Sequence, residues 1–313
     1  MSQNVMSFEI TVLQNYPERE KEGSFIMKKI SLLAMFTLAA AFSVSAQAAD
    51  RVGDFTLIDN TGKAHQLSKY AYNKALVIVS QATGCETNQE NIARYKQLRT
   101  NWDHRGVSFV MLNSDARDDR AGIRAEEAVW KYDFPILDDE TQLVAESLGV
   151  TYAGQVIVVD PVRMNILYRG PLPAQPANAP LGQVLTAIVA DGADSRQMET
   201  VAVEAEVPAS CALAFPARDA HLADVPDYET EIAPILIERC VGCHVEGGIG
   251  PFAMNSHMMI QGWSPMIREV IMTGRMPPMQ VDPTVREWTN AGNIPVEERQ
   301  KLIHWITAGS PRN

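Results

Sequence analysis

Cysteine is scarce. Cys85, Cys211, Cys240 and Cys243 are the only four among 313 residues. That is too few for a disulfide-built scaffold, so each one needs a chemistry of its own. Positive charge is also outnumbered: Lys+Arg 27 stand against Asp+Glu 38, a formal net charge of −11. This balance excludes a nucleic-acid backbone or an anionic membrane surface as the main partner. The chain carries no Gly-rich phosphate loop, no outstanding Ser/His/Asp set and no repeat at solenoid or propeller periods. Its longest apolar run, residues 30–44, is shorter than the about 20 residues that a membrane helix needs. The rest, at 46% hydrophobic and 21% charged, is ordinary globular protein with length for about two domains.

The apolar run has a specific context. Met27-Lys28-Lys29 precedes it and Ala46-Gln47-Ala48 follows, the charged, apolar, small-x-small order of a secretory signal. Residues 27–48 are therefore expected to be a signal peptide cleaved after Ala48. Residues 1–26 are expected to be an extension from a start codon placed too early. The product would be periplasmic or otherwise exported, and soluble, with no stable membrane span. Further on, residues 191–231 hold ten acidic and two basic side chains without a sustained helix or strand period. Residues 191–226 read as an acidic linker between one unit at 51–190 and another at 227–313.

The first unit alternates strand and helix signals. Ala75-Leu-Val-Ile-Val79 is a continuous apolar run, as a strand buried on both faces requires. Residues 107–112 predict the next strand, and 155–160 with 166–168 predict a closing antiparallel pair. Helices are predicted over 88–103, 118–132 and 141–148, the first with Ile92, Tyr95 and Leu98 on one face. The order implies an α/β fold, a mixed sheet with helices on both faces. Cys85 then sits between a buried strand and a helix start, where backbone N–H groups and the helix dipole favour a thiolate.

That element order and that cysteine position resemble the thioredoxin-like redoxins, including the AhpC/TSA-like peroxiredoxins. The likeness runs from "VGDFTLIDNTGK" to "GVTYAGQVIVVDP". It implies thiol redox chemistry at Cys85, with departures: Asn88 stands where a thioredoxin has its second cysteine, and Ala82 where a peroxiredoxin has threonine. The thioredoxin cis-proline maps to about Gly154. Cys211 is the candidate partner of Cys85, in a bridge that is either structural or redox-cycling.

The second unit carries the stronger signal, Cys240-Val-Gly-Cys243-His244. Two thiols at this spacing can add to the two vinyl groups of one haem, and the adjacent imidazole can then reach its iron. Zinc needs four ligands, and no second C-x-x-C or H-x-x-x-H is present. A helix is predicted ahead of the motif, another opening at Ser264-Pro265, and a last one from Pro295 to Gly309. With Arg275-Met276-Pro277-Pro278 between them, this order resembles a small all-α monohaem class I cytochrome c. The resemblance implies one covalent haem c on Cys240 and Cys243, with His244 and Met276 as axial iron ligands. Arg268 and Arg275 are candidates for the haem carboxylates. Seven of the fourteen methionines fall between residues 254 and 279, which suits a haem pocket or, less simply, a copper(I) site of thioethers with His257. His65, His104 and His221 lie in polar sequence and are expected to be exposed, whereas His304 is expected to pack.

The pair of units resembles exported bacterial proteins that fuse a redoxin domain to a cytochrome c domain. Expected partners are the cytochrome c maturation machinery and periplasmic redox proteins, a copper oxygenase-like protein among them. Electron carriage through the haem is the first expectation. A haem-coupled thiol oxidoreductase or peroxidase using Cys85 with Cys211 is the second, and copper handling by the methionines the third.

Overall fold

The computed structural model describes residues 50–175, 179–286 and 288–312. The expected signal at 27–48 and the extension at 1–26 lie outside the described residues. Eight strands form one sheet in the order β2-β1-β5-β4-β3-β6-β7-β8. They are β1 (Thr56–Asp59), β2 (Ala64–Gln66), β3 (Ala75–Gln81), β4 (Val107–Asn113), β5 (Ile136–Asp138), β6 (Gln155–Asp160), β7 (Asn165–Pro171) and β8 (Val201–Ala202). β3 lies parallel to β4 and β4 to β5, whereas β6 runs antiparallel to β3 and β7 antiparallel to β6. All of β3 is buried, which is why its sequence is an unbroken apolar run rather than an alternation.

Helices follow the strands. The stretch predicted as one helix from 88 is two, α1 (Glu86–Glu90) and α2 (Ile92–Trp102), broken at Asn91 with φ −96° and ψ 3°. Then come α3 (Arg120–Trp130), α4 (Leu143–Leu148) and α5 (Pro180–Val189). The Asp119 side chain caps α3 by accepting from Gly122 N–H. One cluster on the sheet joins Val77, Val79 and Val158 to Tyr95, Leu98, Ile123 and Leu185 from α2, α3 and α5. The mixed sheet with helices on both faces is thus as the sequence implies.

The C-terminal part is helical: α6 (Pro216–Ala223), α7 (Ala233–Leu236), α8 (His257–Met272) and α9 (Val296–Thr307). Wider π-type turns at Tyr228–Ile232 and Ile237–Val241 flank α7, so the run leading to the motif is helical throughout. α8 differs from expectation. It starts at His257 under the side-chain cap of Ser256, and Pro265 lies inside it. The apolar stripe Ile260, Ile267, Ile271 runs past the proline at helical spacing, and that packing outweighs the lost backbone bond. Ser264 Oγ donates back to Ile260 O at 3.0 Å.

The acidic stretch 191–226 is not free chain. It supplies β8 beside β7, the buried Ser195 and Phe215, and helix α6 against α9. Gln47–Asn313 cluster as one compact unit. A single apolar cluster unites Leu76, Ile78 and Ile157 of the sheet, Leu143 and Leu148 of α4, and Phe215, Ile232, Ile267, Leu302 and Trp305. Among the described residues no helix is long and apolar enough to cross a membrane.

Two histidine expectations are corrected. His65 is buried between Asp59 Oδ2 at 2.8 Å and the Tyr70 hydroxyl at 2.6 Å. His221 is half-buried against His304, their Nδ1 atoms 2.7 Å apart. His104 is exposed and His304 is packed, as expected.

Candidate functional site

Two cysteine pairs define the candidate centres. In the first, Cys85 precedes α1 and its sulfur is bonded to that of Cys211, with the Cα atoms 4.9 Å apart. Both residues are 0% exposed. The Cys85 Sγ lies 3.7 Å from Ala153 O, and Ala153 N–H donates to Cys211 O at 2.8 Å, so backbone closes over the bridge. Asn88 is buried and holds the loop from both ends. Its Nδ2 donates to Ser80 O at 2.9 Å and its Oδ1 accepts from Ala82 N–H at 3.3 Å. Gly154 takes φ +94°, its N–H donates to Ser80 O at 2.7 Å, and a Cβ there would meet Thr87 Cγ2 at 2.7 Å. A proline at 154 could not make that bond.

Two backbone amides of this loop are held by carboxylates. Thr83 N–H donates to Asp118 Oδ2 at 2.8 Å, and Gly84 N–H donates to Glu126 Oε2 at 2.7 Å. Both amides are thereby satisfied by side chains from elsewhere in the fold. Sequence reasoning missed Asp118 and Glu126 because they belong to a separate loop and helix.

The second centre follows the wide helical turn at 237–241. Cys240 is partly buried and Cys243 exposed, and neither is in a disulfide. Burial pushes the Cys240 thiol up to about 11. His244 N–H donates to Cys240 O at 3.0 Å, so motif and imidazole share one turn. The ring is then fixed: His244 Nδ1 lies 3.0 Å from Phe252 O, and Met254 N–H donates to His244 O at 2.8 Å. That bond makes Nδ1 the donor and leaves Nε2 as the nitrogen with a free lone pair. A Cβ on Gly250 would fall 2.7 Å from His244 Nδ1, so only glycine permits this approach. Phe252 stacks on Trp263 at 4.6 Å and tilts against His244 at 4.9 Å.

After the motif in the chain, several apolar side chains are open to solvent, namely Val245, Ile249, Met258, Met259, Trp263, Met266, Met276 and Met279. Of the seven clustered methionines, Met254 and Met272 belong to the core and the other five are exposed. His257 Nε2 bonds Ser310 O at 2.9 Å, and its ring packs on Tyr228. Arg275 pairs with Glu269 at 2.5 Å, and Arg268 points to Ser147 Oγ at 3.0 Å. Both arginines suggested for haem carboxylates therefore have protein partners. Among the described residues no three His, Cys, Asp or Glu side chains converge as ligands for a metal ion.

Residues 48–168 match the AhpC/TSA family. No curated protein matches the chain. Among solved structures, a hypothetical protein of Sinorhizobium meliloti is 23% identical, over 51% of this chain and 92% of its own, with TM-score 0.40. The peroxidoxin BcpB of Mycobacterium tuberculosis is 19% identical over 45% of this chain and 96% of its own, TM-score 0.36. An exposed lipoprotein thioredoxin of Streptococcus pneumoniae is 17% identical over 43% of this chain and 98% of its own, TM-score 0.38. The family match and the sheet topology agree on the fold: the described residues of 48–168 contribute to a mixed α/β, thioredoxin-like sheet with helices.

Proposed function

We propose that this chain is an exported electron carrier, with one haem held covalently by Cys240 and Cys243 and a redoxin domain that docks its partners. The observation that carries the reading is His244. It directly follows two unbridged thiols at C-x-x-C spacing, and its Nδ1 is tied to Phe252 O so that Nε2 is left for a metal. The residues fit a haem in a second respect. Val245 and Ile249 just after the motif, and Trp263 with five methionines of 258–279, leave apolar surface open that a large apolar group would cover. Met276, partly exposed in the turn after α8, is the thioether proposed as the second iron ligand.

When bound, the group supplies a one-electron iron couple. The protein's own part is to orient the imidazole through Phe252, whose ring stacks on Trp263, and to offer exposed apolar side chains to a partner. Periplasmic redox proteins are the proposed donors and acceptors, and the cytochrome c maturation machinery the proposed means of attachment. Expression with that machinery should give one haem per chain that survives denaturation and acid extraction, and Cys240→Ala with Cys243→Ala should remove it. Wild-type chain that emerges without bound haem would overturn the reading.

A second reading has one observation in its favour, the Cys85–Cys211 bridge, which supplies the two thiols of a thiol-disulfide oxidoreductase or peroxidase. Against it stands the complete burial of both sulfurs. Reduced holoprotein mixed with peroxide or a disulfide substrate decides between them. The carrier reading expects the haem band to respond equally in wild type and Cys85→Ser. Turnover lost in the variant would favour the thiol reading.

A further inference from the structure

Met276 lies in a turn whose far end, at Asp282, pairs with Arg120 of the redoxin domain. Where α8 ends, Arg275 N–H and Met276 N–H both donate to Val270 O, at 2.9 and 3.2 Å. Gln280 then reaches back across the turn, its Nε2 lying 3.2, 3.0 and 3.1 Å from the carbonyl oxygens of Gly274, Met276 and Pro277. Val281 exchanges two hydrogen bonds with the Asn293 side chain, at 2.9 and 2.8 Å. Gly292 passes so close that a Cβ there would fall 2.1 Å from Pro278 O. The turn is thus bound as one piece, and that piece ends at Asp282.

Asp282 is held from the other part of the chain. Its Oδ2 accepts from Arg120 Nη1 at 2.5 Å, and the same nitrogen donates to Thr284 Oγ1 at 2.8 Å. Arg120 opens α3 of the redoxin domain, and its Nε donates to Asp138 Oδ2 at 3.2 Å, at the end of β5. The side chains of Arg120, Asp138 and Asp282 are only 9, 14 and 15% exposed. Burial pushes the Asp282 carboxyl up, but hydrogen bonds from Thr284 and Arg120 outweigh it and hold the group below its usual range. Beside this bridge lies a cavity of 610 Å³ lined by β1 residues, Asp138 and residues 280–284. The cavity leaves space beside the segment, and Asp282 is where the segment is paired with Arg120.

We infer that Arg120 is a positioning residue for Met276: through Asp282 and Gln280, the redoxin domain fixes where the sixth iron ligand sits and so tunes the haem from outside its pocket. This rests on the haem reading above. The logic is that of a shell outside the ligands. A carboxylate–guanidinium pair out of water is hard to separate, because each partner alone is left as an unpaired buried charge.

The test uses the full chain made with haem attachment, as wild type, Asp282→Asn, Arg120→Ala and Arg120→Lys. Asp282→Asn keeps the shape of the bridge while removing its charge, so it decides the matter even where Arg120→Ala fails to fold. Both variants should keep one covalent haem, weaken or lose the sulfur–iron charge-transfer band, and lower the midpoint potential. Amides of residues 274–282 should exchange about tenfold faster, in holoprotein and in haem-free chain alike. Arg120→Lys should restore part of each property. Normal band, potential and exchange in Asp282→Asn would overturn this inference alone. A wild-type chain without covalent haem would overturn the reading beneath it and the inference with it.

Discussion

At the scale of residues, the two cysteine pairs differ in what their neighbours allow. Cys85 stands where a redoxin nucleophile stands, yet the loop amides around it are spent on Asp118 and Glu126, and its sulfur is bonded to Cys211 out of solvent. A staple between residues 126 apart restricts the unfolded chain strongly. Cys85→Ser should therefore cost about 2–5 kcal/mol in equilibrium denaturation. Untreated native protein should show no alkylation at Cys85 or Cys211, and ready alkylation at either would contradict the bridge. The C-x-x-C-H motif was legible because five consecutive residues contain it. The partners of His65 and the carboxylates on the Cys85 loop were not, because those contacts join positions that only the fold brings together. Asn88, by contrast, was noticed as a missing cysteine, and the structure gives it a role: it ties Ser80 and Ala82 into the loop.

At the scale of elements, long strands and helices were legible from period and caps, as with β3, β4, β6 and α9. Two kinds of element escaped. The three-residue β5 and two-residue β8 are too short to show a period. α8 was read as starting at Pro265 because proline favours a first turn, but its apolar stripe begins a full turn and more before it. The contact of α6 with α9 has a pH consequence. His304 Nε2 lies 2.8 Å from Glu146 Oε2, so Nε2–H donates to the carboxylate, and Nδ1 is left to accept from His221 Nδ1–H. Burial first, then His304 and Lys301, hold the His221 pKa below its usual value, against a smaller opposite pull from Glu231 and Glu146. As pH falls, the unfolded histidine takes its proton first, so this contribution is whole above about pH 6.5 and is lost below it. Denaturation midpoints should fall between roughly pH 7.5 and pH 5, and His221→Gln should flatten that part of the decline. An identical slope in the variant would assign the acid sensitivity to other groups.

At the scale of the molecule, negative charge was read as a tether and the structure makes it a clamp. Acidic side chains in 191–226 signal that the stretch meets water, and several of them do, but its few apolar residues decide where it goes. Phe215 is 2% exposed and belongs to the same cluster as Leu143, Ile232 and Trp305, with the Arg218 guanidinium 4.5 Å above its ring. Cys211 ties the same stretch to the redoxin loop. The redoxin sheet therefore shares one side of its core with the C-terminal helices, and neither part can unfold without exposing the apolar face of the other. Cooperative unfolding follows. Far-UV circular dichroism, which follows the sheet and helices, should give the same midpoint as fluorescence from Trp263 and Trp305 in single-tryptophan backgrounds. Phe215→Ala, which leaves a cavity at the junction, should lower both midpoints together by about 3–5 kcal/mol of stability. Two separate transitions, with Phe215→Ala moving only one, would mean that the shared cluster does not couple the parts.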